Sequence, residues 1–123
     1  MKNAVIVAHI GSDIINILGL EITSQPIFWG ESNREHIRIS HPAIYNKYAS
    51  VLDSVISSIL KTPDYAGTRN NAIEYVKFMP SGEFLKVAVR ASKKGVFFAR
   101  TIYPIQQEEL DRFLTKGTLV KIT

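Results

Sequence analysis

The sequence predicts an α+β fold in which one long helix packs against an antiparallel sheet. Apolar residues recur at three-and-four spacing after Pro42, which is the pattern of a helix with one buried face. Three later segments alternate in polarity, and the turns between them are so short that neighbouring strands must be antiparallel. At 123 residues, the chain is expected to form a single domain over residues 1–123.

The first forty residues are predicted to hold a strand, a short helix and a second extended segment. Residues 4–8 are rich in β-branched side chains, and residues 13–20 carry the end signals of a short helix. Residues 26–29 are predicted to form a short strand. The stretch from Arg34 to His41 shows no regular apolar spacing, and we expect it to be irregular.

One long helix is predicted to begin at Pro42 and to end before Pro63. Proline is tolerated at the first helical position because its missing N–H would have no partner there. The second proline ends the helix because the residue before a proline avoids the helical region. The predicted buried stripe consists of Ile44, Tyr48, Val51, Leu52, Val55, Ile56 and Ile59.

The predicted meander covers residues 72–79, 84–90 and 96–103. In its first strand, alternation separates Glu74 from Lys77 onto opposite faces. The second strand is predicted to place Leu85, Val87 and Val89 on one face, and Phe84, Lys86, Ala88 and Arg90 on the other.

In the third strand, strict alternation puts Arg100 on one face and both Thr101 and Tyr103 on the other. This alternation groups Ile102 with Phe98 and Arg100. Pro104 is predicted to end the strand. A short helix is expected over residues 106–114, followed by a stop at Gly117.

The composition excludes several classes of protein. With 46% hydrophobic and 21% charged residues, the chain is typical of a globular domain. No apolar run approaches the ~20 residues that cross a bilayer. Because the chain has no cysteine and no leader-like apolar run, we expect it to be cytoplasmic. The net charge of +4 suits a polyanionic partner such as RNA, although solubility alone would also explain it.

Common catalytic motifs are missing from the sequence. It contains neither a phosphate-binding loop nor a dinucleotide fingerprint, so no nucleotide cofactor is expected. It also lacks the G-x-S-x-G elbow of many hydrolases. The three histidines, His9, His36 and His41, do not have zinc-ligand spacing, and we predict no metal site and no cofactor.

What remains is a pair of histidines before a helix, with cations and hydroxyl groups on predicted strands. Two imidazoles can serve as general base and general acid near neutral pH, and a cation can stabilise charge on a phosphoryl oxygen. RNA carries its own nucleophile, the 2′-hydroxyl, so its cleavage needs no metal or cysteine. The predicted catalytic residues are His36, His41, Lys77, Arg90, Thr101 and Tyr103, and the predicted substrate-binding residues are Arg34, Arg38 and Arg100.

Each of these residues also has an ordinary structural explanation. A histidine near a helix start often hydrogen-bonds the backbone, and His9 is expected to be structural. A solvated strand face would explain any one of the cations, and Lys93 and Lys94 are expected to lie in an exposed turn.

Several short motifs occur along the chain in a characteristic order. They are His9-Ile10-Gly11, Ile17-Leu18-Gly19-Leu20, Pro26-Ile27-Phe28-Trp29, His36-Ile37, His41-Pro42, Pro63-Asp64 and Thr101-Ile102-Tyr103. In this order they resemble the phage-associated branch of the barnase/EndoU/colicin/RelE-like (BECR) nuclease fold. The resemblance covers residues 7–101 and implies a BECR-like arrangement of the predicted elements.

The resemblance implies a metal-independent ribonuclease of a prophage or toxin setting. Our leading hypothesis is an RNA endonuclease that uses the 2′-hydroxyl as nucleophile and leaves a 2′,3′-cyclic phosphate end. The functional positions that carry over are His36, His41, Thr101 and Tyr103. Lys77 and Arg90 match only as basic residues on strands. Polar residues lie between the two histidines, so the assignment of base and acid stays open.

Two other functions remain open from the sequence. The chain could be a non-catalytic nucleic-acid-binding domain that kept the fold, with binding carried by basic residues rather than by the histidines. It could also be a phage accessory protein that binds another protein, for example an acidic inhibitor in a toxin–inhibitor pair.

Overall fold

Seven strands form one sheet in the computed structural model, which describes residues 4–122. The strands are β1 (Val5–His9), β2 (Pro26–Trp29), β3 (Tyr65–Arg69), β4 (Ala72–Phe78), β5 (Phe84–Ala91), β6 (Phe97–Ile105) and β7 (Val120–Lys121). Their order across the sheet is β1-β2-β6-β5-β4-β3-β7. Only β2 and β6 pair in parallel among these described strands. The predicted α+β class is confirmed.

The helices cover both faces of this sheet. They are α1 (Ser12–Leu18), α2 (Glu31–Ser40), α3 (Pro42–Tyr48), α4 (Leu52–Lys61) and α5 (Gln107–Lys116). Helix α4 packs on β1, β4 and β5, and its buried side chains include Ile56 and Ile59. Helix α5 lies on the opposite face, where Leu110 and Phe113 pack against Val76 of β4.

The predicted long helix is divided into two. A 3₁₀ turn at Ala49–Val51 separates α3 from α4. Because a 3₁₀ turn has three residues per turn rather than 3.6, it changes the phase of the buried stripe. Val51, which was predicted to be buried, is therefore 49% exposed, whereas Leu52 is fully buried.

The stretch from residue 31 to residue 40, predicted to be irregular, forms helix α2. Its apolar spacing is weak because Ile37 is its only buried aliphatic side chain. Gly30 is the N-cap residue of this helix, and its N–H donates to the Asn33 side-chain oxygen at 3.0 Å. This N-cap hydrogen bond and the packing on β6 stabilise α2. The helix was not predicted because it has no stripe of apolar residues.

Two further strands, β3 and β7, were also not predicted. Tyr65–Arg69 contains Gly67, which is unfavourable in a strand, and it joins β4 through Asn70 and Asn71. Both asparagines have positive φ angles, of 52° and 62°. This is the backbone conformation of a tight hairpin turn, so the Asn-Asn pair was the available signal.

Pairing in the centre of the sheet confirms the predicted faces of β4 and β5. Glu74 lies opposite Ala88 and Val76 opposite Lys86, so these side chains point to the α5 face. Tyr75 lies opposite Val87 and belongs to the core beneath α4. The buried aliphatic residues thus divide into a large cluster on the α4 face and a smaller one on the α5 face.

A β-bulge in β6 overturns the predicted faces of that strand. Ala88 pairs with Thr101 and Val89 pairs with Ala99, which leaves Arg100 as the extra residue. A bulge of this kind puts the two residues opposite one partner on the same side of the sheet. Arg100, Thr101 and Tyr103 therefore share the α5 face, and Ile102 is buried with Ala99 on the α4 face.

Pro104 does not end β6, contrary to prediction. The strand continues to Ile105, and Pro104 lies opposite Leu85 of β5. On its other side, β6 pairs with β2 only at Phe97 and Phe98. Proline is tolerated where a strand has a free edge, because the missing N–H is not needed there.

The predicted domain extends over residues 1–123, of which 1–3 and 123 lie outside the described residues. Within the part of the chain that the structure describes, no helix is both long and apolar enough to cross a membrane.

Candidate active site

His41 forms the corner between α2 and α3. Its backbone N–H donates to the carbonyl of Ile37 at 2.8 Å, and its carbonyl accepts from Tyr45 at 3.1 Å. His41 thus ends one helix and begins the next, with Pro42 at the first position of α3. These bonds fix the backbone from which the imidazole projects.

The His41 ring contacts the last part of β6. Its Nε2 lies 3.0 Å from Oγ1 of Thr101, at hydrogen-bond distance. The ring also stacks on Tyr103, with centroids 5.6 Å apart and planes inclined by 18°. Thr101 and Tyr103 can make both contacts because the bulge at Arg100 turns them to this face. Three of the predicted site residues are therefore in direct contact.

His36 lies one turn earlier, on the exposed side of α2. Its ring centroid is 6.2 Å from that of His41, with the rings edge to face. Oγ of Ser40 is 3.4 Å from Nδ1 of His36. Two imidazoles at this separation can reach one small group from two directions, which general acid–base catalysis requires.

The environment of His41 changes its acidity. Partial burial, and then the proximity of His36, lower the pKa of His41 below its usual value of 6.5. Both effects disfavour the charged imidazolium. A neutral imidazole accepts a proton, so His41 is suited to act as a general base near neutral pH.

Two arginines meet next to His36. Arg90 and Arg100 line a cavity of about 350 Å³ together with Ser32, Asn33 and His36. A hydrogen bond from the Arg90 guanidinium to the carbonyl of Asn70 orients that side chain. Arg100 lies over the ring of Phe98, at 5.3 Å from its centroid. Guanidinium groups suit the geometry of phosphate oxygens, so the cavity can bind a phosphate.

We refer to His36, His41, Arg90, Arg100, Thr101 and Tyr103 together as the histidine cleft. All six were predicted from the sequence as site residues, and the fold brings them to one face and one edge of the sheet.

Two buried charged side chains, Lys86 and Glu74, form an ion pair beside the Tyr103 ring. Lys86 is 1% exposed, and its Nζ lies 3.1 Å from Oε2 of Glu74 and 5.0 Å from the centroid of the Tyr103 ring. Arg69 donates to both oxygens of the same carboxylate at 3.3 Å. The hydrogen bond to Glu74 is the main cause that raises the pKa of Arg69. The charge of Glu74 and the Tyr103 hydroxyl raise this pKa to a smaller extent. Two cations therefore share one carboxylate, which leaves positive charge beside Tyr103.

Three predicted residues lie outside the histidine cleft. Arg34 is paired with Asp53 of α4, whose Oδ1 also accepts from the Trp29 indole at 2.7 Å. Arg38 is paired with Glu35 on its own helix, and this contact raises the pKa of Arg38. Both arginines lie two residues from His36, so α2 turns them away from the imidazole.

Lys77 is the third of these residues. It lies on the α4 face of β4, where its Nζ donates to the Thr62 carbonyl at 2.7 Å and to Oγ1 at 2.9 Å. It therefore binds the end of α4 rather than a group in the cleft. His9, expected to be structural, is exposed at the end of β1.

Several residues that shape the cleft were not predicted from the sequence. Ser32 and Asn33 were missed because α2 was not predicted, although helical spacing from His36 would have placed both beside it. Glu74 and Lys86 carried a stronger signal. Each is a charged residue within an apolar strand, and their predicted faces coincide.

Among the described residues, no group of three or more histidine, aspartate or glutamate side chains is arranged to hold a metal ion. The candidate chemistry of the cleft consists of two imidazoles, two guanidinium groups and two hydroxyl groups.

Comparison with known protein families gives a match over most of the chain. A family model described as "phage-Barnase-EndoU-ColicinE5/D-RelE like nuclease3" matches residues 5–112, which is most of the chain. This range includes every residue of the histidine cleft. No curated protein and no solved structure matches the chain.

Proposed function

Because the chain belongs to the phage-Barnase-EndoU-ColicinE5/D-RelE like nuclease family, we propose that it cleaves RNA by transesterification in the histidine cleft. The observation that carries this proposal is the meeting of two imidazoles with the Arg90–Arg100 cavity at one site. These groups match the needs of a reaction whose nucleophile, the 2′-hydroxyl, comes from the substrate itself. The site therefore requires no metal ion to generate a nucleophile.

In the proposed reaction, His41 removes the proton of the 2′-hydroxyl. Its lowered pKa keeps it neutral, and the contact with Thr101 together with the stacking on Tyr103 fixes its ring. The 2′-oxygen attacks phosphorus while the bond from phosphorus to the 5′-oxygen breaks. His36 donates a proton to the leaving 5′-oxygen, so the products are a 2′,3′-cyclic phosphate and a 5′-hydroxyl.

Arg90 and Arg100 stabilise the additional negative charge on the phosphoryl oxygens in the transition state. Because both guanidinium groups are already held beside His36, little reorganisation is needed when this charge develops. Removal of one such donor typically lowers the rate constant by ~10²–10³-fold.

The test is cleavage of an oligodeoxynucleotide that contains a single ribonucleotide, in the presence of EDTA. We expect one cut, on the 3′ side of the ribonucleotide, with a cyclic phosphate at the new end. His36→Ala and His41→Ala should each lower kcat/KM by ~10²-fold or more, and His9→Ala is the matched control because that histidine is exposed at the end of β1.

Two results would overturn the proposal. One is an intact oligonucleotide with the unaltered protein. The other is cleavage that survives replacement of both cleft histidines. Salt-sensitive binding without cleavage would instead favour the non-catalytic nucleic-acid-binding function.

A ribonuclease of this kind would act on cellular RNA in the cytoplasm and would therefore be toxic. The cell that makes it would need an inhibitor protein. We include an acidic protein partner in the proposal, because the histidine cleft carries Arg90 and Arg100 at its surface. Co-purification of such a partner that blocks cleavage would support this part.

A further inference from the structure

A second cavity opens next to His41. Its volume is about 460 Å³, and it is lined by residues 41–44 at the start of α3, residues 104–106 at the end of β6, Lys47 and Glu83. This volume is within the usual range for sites that bind small organic groups. We call it the Pro104 cavity.

We propose that the Pro104 cavity binds the nucleobase of the nucleotide whose 2′-hydroxyl is deprotonated and attacks phosphorus, and that it prefers bases with an exocyclic amino group. This inference rests on the proposed function. His41 lines the cavity and is the proposed acceptor of the 2′-hydroxyl proton. A ribose held with its 2′-hydroxyl at that imidazole carries its own base beside the same ring, which is where the cavity opens.

The walls of the cavity suit a flat aromatic group. Ile44 and Ile105 form buried apolar surface, at 4% and 3% exposure. Pro42 and Pro104 are exposed and line the cavity together with His41. A nucleobase has apolar faces and polar edges, so it gains from contact with flat apolar surface on both faces.

The polar groups of the cavity suit the edge of a base. The Glu83 carboxylate is paired with Lys47, and its side chain is 24% exposed. An ionised carboxylate offers about four acceptor sites, so it can also accept from an amino group of a base. Gln106 adds an amide that both donates and accepts.

These groups discriminate between the bases. Carboxylates accept from the amino group of cytosine, and amides pair with the amino edge of adenine. Uracil presents a carbonyl oxygen where cytosine has its amino group, so it would direct a lone pair at Glu83. Lys47 balances the charge of Glu83, and the cavity therefore does not repel the adjoining phosphate.

The experiment uses oligodeoxynucleotides with one ribonucleotide that carries cytosine, adenine, guanine or uracil. We expect kcat/KM for the uridine substrate to be about tenfold lower than for the cytidine substrate. Glu83→Gln should bring these two values to within about twofold. Glu108→Gln, at an exposed position of α5, is the matched control and should retain the full difference.

A second variant separates base binding from phosphate chemistry. Ala43 is exposed on α3 and lines the cavity, so Ala43→Phe fills the cavity without entering the core. We expect this variant to cleave base-containing substrates at least about fivefold more slowly and to cleave a substrate with an abasic ribonucleotide at the unaltered rate. Equal effects on both substrates, or no effect on either, would overturn the base-binding inference while the ribonuclease proposal stands.

Binding can be tested even if the protein cleaves nothing. The side-chain amide of Gln106 is followed by NMR during titration with cytidine 3′-monophosphate or with ribose 5-phosphate. A shift that appears only with the nucleotide supports the cavity as a base site. An amide that does not respond to the nucleotide overturns the inference, whereas absence of cleavage alone overturns only the proposed function.

Discussion

Nε2 of His41 and Oγ1 of Thr101 lie 3.0 Å apart, although 60 residues separate them in the sequence. This contact joins the corner between α2 and α3 to the strand that follows the bulge in β6. Its geometry depends on an element that was not predicted, α2, and on an irregularity in a strand that was predicted to be regular.

The pH dependence of cleavage tests the environment of His41. Burial, and then His36, lower the pKa of His41, so the acidic limb of kcat/KM should have its midpoint below 6.5. His36→Gln removes only the smaller cause, and the pKa of His41 should rise slightly yet stay below that value. Histidine NMR titration of the unaltered protein and of this variant gives both values; a pKa of 6.5 or above would contradict the prediction.

The same shift has a consequence for stability. The folded protein binds the His41 proton less readily than the unfolded chain, so this group favours folding in its neutral form. Its contribution is fully present above the unfolded value of 6.5 and is lost as the pH falls through the lower folded value. Acid unfolding of His41→Gln should therefore lack this part of the pH dependence.

Removal of one partner of the buried Glu74–Lys86 pair is predicted to destabilise the protein strongly. Glu74→Gln leaves an ammonium group at 1% exposure without its carboxylate, and we expect a loss of about 3–5 kcal/mol in the free energy of unfolding. Urea denaturation measures this loss. The double variant with Lys86→Met should be more stable than Glu74→Gln alone, because it removes the buried ammonium group, while the remaining cation, Arg69, has a side chain that is 36% exposed. A double variant that is less stable would show that the pair itself is strongly stabilising.

Gly67 is required by the close approach of the loop before β7. A Cβ at Gly67 would lie 1.7 Å from the carbonyl oxygen of Thr118, so β3 and this backbone would have to separate. Gly67→Ala should lower the free energy of unfolding by about 3 kcal/mol or more. Gly95→Asn is the comparison, because a side chain there meets no atom within 4 Å and asparagine tolerates positive φ. Thermal unfolding of the two variants should therefore differ clearly.

Lys77 is predicted to act on stability and not on cleavage. Lys77→Met removes two hydrogen bonds to Thr62 at the end of α4, at a cost of about 1–2 kcal/mol, with kcat/KM unchanged. Arg90→Met should show the opposite, with a large fall in kcat/KM and little change in stability. Denaturation and single-turnover cleavage of both variants test this. A fall in kcat/KM for folded Lys77→Met would contradict this prediction and would support a catalytic role for Lys77.

Much of the fold could be predicted because the apolar pattern of β4, β5 and α4 is strong. Helix α2 could not, since a helix with Ile37 as its only buried aliphatic side chain has no stripe to detect. The histidine pair could be selected from residue types alone, and the structure places the two rings next to each other. The ion pairs of Arg34 and Arg38 could not be predicted, because residues two positions from His36 point to other sides of a helix that was itself not predicted.

The single extra residue in β6 sets which side chains the strand shows to solvent and which it buries. If the same residues formed a regular strand without the bulge, the two-residue period would turn Thr101 and Tyr103 towards α4 and bring Ile102 to the histidines. The strand thus exchanges its two faces at Arg100, and the histidine cleft contains Thr101 and Tyr103 only because of this exchange. Deletion of Arg100 would leave Thr101 opposite Ala88, so the strand would keep its two faces and the cleft would lose one guanidinium group.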